Sequence, residues 1–211
     1  MASTDAGGGR ELGERHPLYL AVHDDGRRSR LTVLLRPLLA LPHLGWAGLW
    51  TLAALLAAAA QWWVVVATGH PAGLLHTFLA RYGRYSTRVQ AYLFLIADPY
   101  PRFPRRARTY PVDLVVDPPA RQSRWKTILR PVLALPPLVF AAVLTYVLRL
   151  LALVAWFVAI LLARVPAGMR DLAAYCLRYQ EQTSGYLLLL TDRYPSIAAE
   201  RPREQPAASL S

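Results

Sequence analysis

The sequence contains little cysteine, little lysine and few charged residues of either sign. One cysteine, Cys176, occurs in 211 residues, so a disulfide scaffold within the chain is excluded. Charged residues make up 18% of the chain and hydrophobic residues 55%, whereas about 25% charged residues is typical of soluble domains. An intrinsically disordered chain is also excluded, because disorder requires low hydrophobicity together with high net charge.

The sequence also lacks the residue patterns of common catalytic and metal sites. It contains no Gly-rich phosphate loop, no nucleophile elbow and no paired-carboxylate motif. Its five histidines form no i, i+4 pair, and no acidic residue completes a ligand set. Asp98 and Asp192 each precede a Tyr-Pro pair, a context that favours a turn cap over an acid–base catalyst. We therefore expect no cofactor, no metal and no enzymatic activity.

Two long apolar runs dominate what is present. Pro37 to Gly69 is a stretch of 33 residues without Asp, Glu, Lys or Arg, and Val132 to Ala163 is interrupted by Arg149 alone. About 20 helical residues suffice to cross a bilayer core about 30 Å thick. Both runs therefore predict transmembrane helices in a multi-pass protein of the cell membrane.

The chain contains an internal repeat with an offset of 94 residues. This shift aligns residues 16–42 with residues 110–136, and 13 of the 27 positions are identical. The string RPxLALP occurs in both copies, and Trp62 aligns with Trp156 further on. Such self-similarity predicts two tandem structural units.

The first part of each unit predicts an extended segment and a short helix. Pro17 and Pro111 each lead a short segment that resembles an edge strand. Ser29 and Ser123 are the expected N-caps of a short basic helix. The prolines expected to end the two short helices are Pro42 and Pro136.

A long helix and a third helix complete each unit. The second apolar run has neither Gly nor Pro from Leu138 to Val165, which indicates one unbroken helix. Pro71 and Pro166 start the third helix. In unit one this helix has an apolar stripe opposite a face formed by Thr77, Arg81, Arg84 and Arg88. The pattern is typical of a helix in the headgroup plane, and packing against a neighbouring helix is the alternative.

These elements predict an all-α membrane protein made of two tandem repeats. Each repeat has a short basic helix, a long transmembrane helix and an interfacial amphipathic helix, with a short extended segment before them. The expected boundaries are a disordered polar tail at 1–15, membrane repeat 1 at 16–101, a basic linker at 102–109, membrane repeat 2 at 110–197 and a disordered tail at 198–211.

The string YPVDLVV…RxSRWKTILRPVLALPP…WF…RYxxxxxxYLLLLTDRYPSI in unit two resembles the bacterial family of integral membrane proteins catalogued as domain of unknown function 4389. Unit one follows the pattern but has Ala97 and Pro99 where unit two has Thr191 and Arg193. The resemblance covers both units and excludes the tails and the linker. It implies a membrane location, and it assigns neither an activity nor a catalytic residue.

The formal net charge of +11, with 23 arginines among 24 basic residues, requires an anionic partner surface. Basic clusters beside a membrane span bind anionic lipid at about 1 kcal/mol per residue. The residues expected to contact lipid headgroups are Arg27, Arg28, Arg30, Arg36, Arg81, Arg84, Arg88, Arg121, Arg124, Lys126 and Arg130. Nucleic acid is not an expected partner, because no motif for entering a groove occurs.

Arg149 is an intramembrane charge within the second run. An ionisable residue in a span costs about 2.5–3.5 kcal/mol at mid-helix and suggests a transport or gating role. Its counterpart is Leu55, and neither run supplies an acidic partner. A structural role is therefore favoured, with the guanidinium bonded to backbone carbonyls or extended towards the headgroups.

Charge does not decide the topology. One crossing per unit would place 11 basic residues on one face and 12 on the other, so the positive-inside rule sees no bias. A hairpin in each unit would place 23 of the 24 on the same face, but the unbroken second run opposes it. We expect a non-enzymatic scaffold or accessory protein that contacts the bilayer, anionic lipids or a membrane-protein partner. A small transporter or channel component is the alternative, and a membrane enzyme comes third.

Overall fold

The computed structural model describes residues 18–22, 30–97 and 112–197. The elements, in chain order, are β1 Leu18–Val22, α1 Arg30–Thr68, α2 Gly73–Leu93, β2 Val112–Val116, α3 Arg124–Leu133, α4 Leu135–Leu162 and α5 Ala167–Leu187. The fold is mainly helical, as predicted, and the strands occupy the two predicted extended segments. The predicted tails 1–15 and 198–211 and the linker 102–109 lie outside the described residues.

Each unit folds into a helical hairpin in which the third helix runs antiparallel to the long helix. In unit one, Arg36 near the start of α1 binds Tyr92 at the end of α2, and His43 Nδ1 lies 2.8 Å from the Tyr85 hydroxyl oxygen. At the other end, the Gln61 amide oxygen accepts a hydrogen bond from the backbone just before α2. The third helix therefore packs along the long helix, which is the alternative that the sequence left open.

The long helices of the two units differ at their prolines. In unit two, α3 ends at Leu133, and Pro136 and Pro137 lie in the first turn of α4, where helices tolerate a missing N–H. In unit one, α1 continues through Pro42 to its end at Thr68. The predicted end of a short helix near Pro136 is confirmed. The prediction for Pro42 is wrong, because one proline removes a single backbone donor from the helix whereas the adjacent pair removes two.

The two strands form an antiparallel ribbon that relates the units by a pseudo-twofold axis. Leu20 pairs with Leu114, which is its own repeat counterpart, and Leu18 pairs with Val116 in the same symmetric register. A register centred on equivalent positions places the axis between the two paired leucines. The two hairpins therefore point in opposite directions.

Three layers follow one another along this axis. The ribbon packs on α2 and α5, and these third helices pack on the long helices. One buried apolar cluster joins Leu114 of β2 to Leu79 of α2 and Ala54 of α1. A second cluster joins Val112 of β2 to Leu148 of α4. The third helices are thus the middle layer, with the ribbon on one side and the long helices on the other.

Candidate functional site

Two tryptophan–carbonyl contacts join the units at opposite ends of the molecule. Trp62 Nε1 donates to the Thr127 carbonyl oxygen, and Trp156 Nε1 donates to the Val33 carbonyl oxygen, both at 2.9 Å. Each carbonyl lies four residues before the first proline of the RPxLALP string, which is Pro37 or Pro131. Proline has no N–H with which to complete the helical hydrogen bond to that carbonyl. The repeated string thereby leaves an acceptor open, and the repeated tryptophan of the other unit binds it.

The arginine of the same string binds the C-terminal end of the third helix. Arg36 Nη1 donates to the carbonyl oxygens of Tyr92 at 2.7 Å and Ala97 at 3.1 Å. Arg130 makes the equivalent two bonds in unit two, at 2.6 and 3.2 Å. Each guanidinium carbon also lies 4.4 Å from the centroid of the neighbouring tyrosine ring. We call each set an arginine clamp, because it places a cation on the carbonyls at the negative end of a helix dipole.

The clamped helix ends adopt a left-handed turn without glycine. Leu95 has a φ of 57° and Leu189 a φ of 56°. The amide of the next residue bonds back to Ala91 in unit one and Gly185 in unit two, at 3.0 and 2.9 Å. A left-handed non-glycine residue costs about 1–2 kcal/mol. The arginine bonds to the adjacent carbonyls stabilise these ends and offset that cost.

The clamp in unit two extends to a carboxylate. Arg130 Nη2 lies 2.9 Å from Asp192 Oδ1 and donates to the Gln122 amide oxygen at 3.3 Å. Lys126 Nζ approaches the other oxygen of the same carboxylate at 3.8 Å. Burial lowers the pKa of the Arg130 guanidinium from its ordinary value, and Tyr186 and Asp192 oppose this shift. The guanidinium is thus a buried, multiply bonded cation.

The structure corrects the predicted headgroup contacts at three arginines. Arg36, Arg88 and Arg130 are 1%, 7% and 2% exposed, so their side chains lie inside the protein. The first and third form the clamps described above. The prediction of headgroup contact is wrong for these residues, because the backbone carbonyls and packed helices around them exclude an external ligand.

The other predicted basic residues are distributed over several surfaces. Arg81 on α2 is exposed, and Arg84 is half-buried, with its Nε donating to the Leu114 carbonyl oxygen of β2 at 3.2 Å. The exposed basic residues at the start of α3 are Arg121, Arg124 and Lys126. Arg27 and Arg28 lie outside the described residues, as does the side chain of Arg30 at the first position of α1.

Arg149 lies near the middle of α4 and is exposed. Its guanidinium carbon is 5.8 Å from the ring centroid of Tyr146, one turn earlier on the same helix, which is itself 70% exposed. A cation at this distance is attracted by the face of the ring. The structure therefore places this charge at the protein surface.

A broad apolar surface covers α1, α3 and α4. We define the apolar face as the exposed large apolar side chains of these three helices, and representative members are Leu38, Leu49, Leu56, Val139, Leu150 and Leu161. In the rest of the described chain, the exposed large apolar residues are Leu74, Leu172, Tyr194 and Ile197. Apolar exposure is therefore concentrated on one layer of the fold.

A buried carboxyl group lies where α2 meets α5. Gln90 Nε2 donates to Glu181 Oε1 at 3.0 Å, and Thr87 also hydrogen-bonds to the carboxyl group. Burial raises the pKa of Glu181 from 4.5 to about 7, and the two hydrogen bonds oppose this shift. Glu181 and Ser184 line a cavity of about 30 Å³ beneath Leu114, which is large enough for one water molecule. The patterns of the sequence assigned no role to Glu181.

Two of the described histidines and the single cysteine are buried. His43 and His76 are buried, and burial lowers the pKa of His76. Cys176 is buried, and burial raises the pKa of its thiol. Within the three described ranges, no group of three or more His, Cys, Asp or Glu residues could hold a metal ion.

Comparison with known proteins identifies the two units as copies of one domain. The family model described as a domain of unknown function (DUF4389) matches residues 30–104 and again residues 124–199. Neither a curated protein nor a solved structure matches the chain. The two matched ranges begin 94 residues apart, which is the offset of the repeat. The chain therefore belongs to the DUF4389 family and carries its domain in two tandem copies.

Proposed function

We propose that this protein is a non-enzymatic scaffold or accessory protein of the cell membrane that binds anionic lipid. The apolar face carries this proposal, because soluble monomers rarely expose contiguous apolar patches larger than a few hundred Å². In the most apolar 18-residue stretches of α1 and α4, only 17% and 22% of the stretch is buried inside the protein. Both helices are long enough to cross a membrane. A surface of this extent requires lipid or an apolar partner.

The start of α3 supports the choice of anionic lipid. Trp125 is 77% exposed there, between the exposed Arg124 and Lys126. Tryptophan is enriched at the membrane–water interface, and basic residues near the surface attract anionic headgroups. Trp125 belongs to the apolar face and its two basic neighbours lie next to it in the sequence, so one approach to a bilayer would engage both.

Transport is disfavoured by the position of Arg149. A transport or gating role needs this charge to line an aqueous path between helices. Its side chain instead lies at the surface of α4, over Tyr146. The scaffold proposal therefore needs no further role for Arg149.

Flotation with liposomes tests the proposal. The detergent-purified full chain should float with vesicles after detergent removal, and it should bind phosphatidylglycerol-containing vesicles more tightly than pure phosphatidylcholine vesicles. Arg124→Gln should weaken partitioning onto the anionic vesicles about 5-fold, which corresponds to about 1 kcal/mol. Added salt should reduce this difference by screening.

Arg81→Gln is the matched control, because it removes one exposed arginine from α2, on a different layer. It should change partitioning less than Arg124→Gln does. A chain that stays soluble and monomeric without lipid or detergent would contradict the proposal. Equal binding of the unmodified protein to the two vesicle types would contradict the choice of anionic lipid.

A further inference from the structure

Helices that crossed the bilayer would carry polar parts of this fold into the hydrocarbon. The third helix α2 follows α1 along its length, so it would cross together with α1. Arg81, which is exposed, and Arg84 lie near the midpoint of α2. These charges would then lie at the depth where a basic residue is most costly.

The ribbon would occupy the same depth. Leu114 of β2 packs on Gly83 at the middle of α2, and its carbonyl accepts the hydrogen bond from Arg84. Within the described ranges the sheet has two strands, so each strand has one backbone edge that no other described strand pairs with. Lipid-exposed sheet edges do not occur in the hydrocarbon, because each unsatisfied backbone group costs several kcal/mol there. This ribbon therefore needs water outside it.

The lengths of the long helices also oppose a crossing. With 39 and 28 residues, α1 and α4 are about 58 and 42 Å long at about 1.5 Å per residue. Both lengths exceed a hydrocarbon core about 30 Å thick, so a crossing would require each helix to tilt strongly, to kink or to extend beyond the core. An orientation in the bilayer plane requires no match between length and thickness.

We propose that the apolar face inserts into one leaflet, with α1 and α4 parallel to the bilayer plane and neither helix crossing it. This inference rests on the proposed membrane function and replaces the crossings predicted from the sequence. The pseudo-twofold axis then lies along the bilayer normal, with the long helices in lipid, the third helices above them and the ribbon in water. Both ends of the molecule reach the headgroups at one depth, which explains why the basic residues showed no bias between two faces.

Arg149 fits this orientation. In a crossing helix it would lie near the bilayer centre, about 15 Å from either headgroup layer. In the plane of one leaflet, every residue of α4 is within about 5–10 Å of the headgroups. A long arginine side chain bridges that distance, so its charge reaches water while its stem stays in lipid.

Single-cysteine labelling of the full chain in cells tests the orientation. In a Cys176→Ser background, Gly73→Cys and Gly168→Cys form a matched pair. Both positions are exposed, an added Cβ meets no atom within 4 Å at either, and they start the third helices at opposite ends of the molecule. Ser184→Cys reports an exposed position on the third-helix layer, and Leu150→Cys reports the apolar face.

A membrane-impermeant maleimide is applied to intact cells and to inverted membrane vesicles, with labelling in SDS as the control for thiol reactivity. We expect Gly73→Cys, Gly168→Cys and Ser184→Cys to be labelled from the same side. Leu150→Cys should be protected from both sides and should be labelled only after SDS is added. Labelling of the two glycine positions from opposite sides overturns the in-plane orientation. Protection of Ser184→Cys from both sides also overturns it. Recovery of the chain in the soluble fraction would instead overturn the proposed membrane function itself.

Discussion

The two units share a framework and differ at one buried site where they meet at the pseudo-twofold axis. The clamp arginines and the tryptophans that bind a carbonyl are present in both units. Each arginine binds within its own unit, and each tryptophan binds the equivalent carbonyl of the other unit. At the contact between α2 and α5, however, unit one supplies Thr87 and unit two supplies Glu181. Equivalent positions touch each other at an axis, so two glutamates there would be two like charges in one buried site. A buried carboxyl group at the axis therefore requires a different residue at the equivalent position of the other unit, whereas apolar residues such as Leu20 and Leu114 can remain identical there.

The largest effect should come from breaking the unit-two clamp. Arg130→Met removes a buried cation from the Tyr186 carbonyl and from Asp192, so it should lower the free energy of unfolding by about 3–5 kcal/mol. Thermal unfolding in detergent measures the loss. Lys126→Met is the matched control, because it removes an exposed cation 3.8 Å from the same carboxylate, and it should cost less than about 1 kcal/mol. Similar losses for the two variants would show that the clamp does not stabilise the fold.

A smaller effect, with a defined pH dependence, is expected at the axis. The pKa of Glu181 is about 7 in the folded state and 4.5 in the ordinary state, so the folded protein retains a proton that the unfolded chain releases. The contribution of Glu181 should therefore lower the free energy of unfolding as pH rises from 4.5 to about 7. Above that range its contribution should stay constant. The total penalty is about 3 kcal/mol.

Glu181→Gln keeps a hydrogen-bonding side chain and removes the titration, so it should stabilise the protein above pH 7 and abolish this part of the pH dependence. Unfolding temperatures measured across the range check the prediction. Asp171→Asn, at an exposed carboxylate, is the control and should leave the slope unchanged. A slope that persists in the Gln variant would assign the pH dependence to another group.

The smallest effect should come from the two tryptophan–carbonyl contacts, and it tests whether the two units are equivalent. Trp62→Phe and Trp156→Phe each remove one hydrogen bond to a carbonyl that proline leaves without a helical donor. Each should cost about 1–2 kcal/mol, including the unsatisfied carbonyl, and the two costs should be equal. Trp63→Phe is the control, because Trp63 is 67% exposed, and it should cost less. Clearly unequal losses would show that the units are not related as the register of the ribbon indicates.

The sequence predicted the repeated framework well. The 94-residue offset, both extended segments, the unbroken helix from Leu138 and the position of each third helix all follow from patterns within one unit. Such patterns depend on local periodicity and on glycine and proline, which act over a few residues. The family resemblance rested on the same strings and is confirmed by the two matched ranges.

What the sequence missed depends on contacts between distant elements. Arg36 and Arg130 were predicted to bind headgroups. An arginine beside an apolar run can bind either a lipid phosphate or the end of a helix 56 residues away, and the local pattern is the same in both cases. The arginine face of α2 read as a lipid-facing surface, although the ribbon and α5 cover part of it. The elevated pKa of Glu181 arises from burial by the other unit, and no pattern within one unit encodes that burial.

Oriented circular dichroism of the full chain in aligned anionic bilayers is the most direct test of how the apolar face meets the membrane. Four of the described helices, α1, α2, α4 and α5, run along one direction or its reverse, so they report a common orientation. The amide band polarised along the helix axis is retained when helices lie in the bilayer plane and lost when they lie along its normal. With light incident along the normal, the account predicts that this band is retained at full strength. Loss of the band would contradict it.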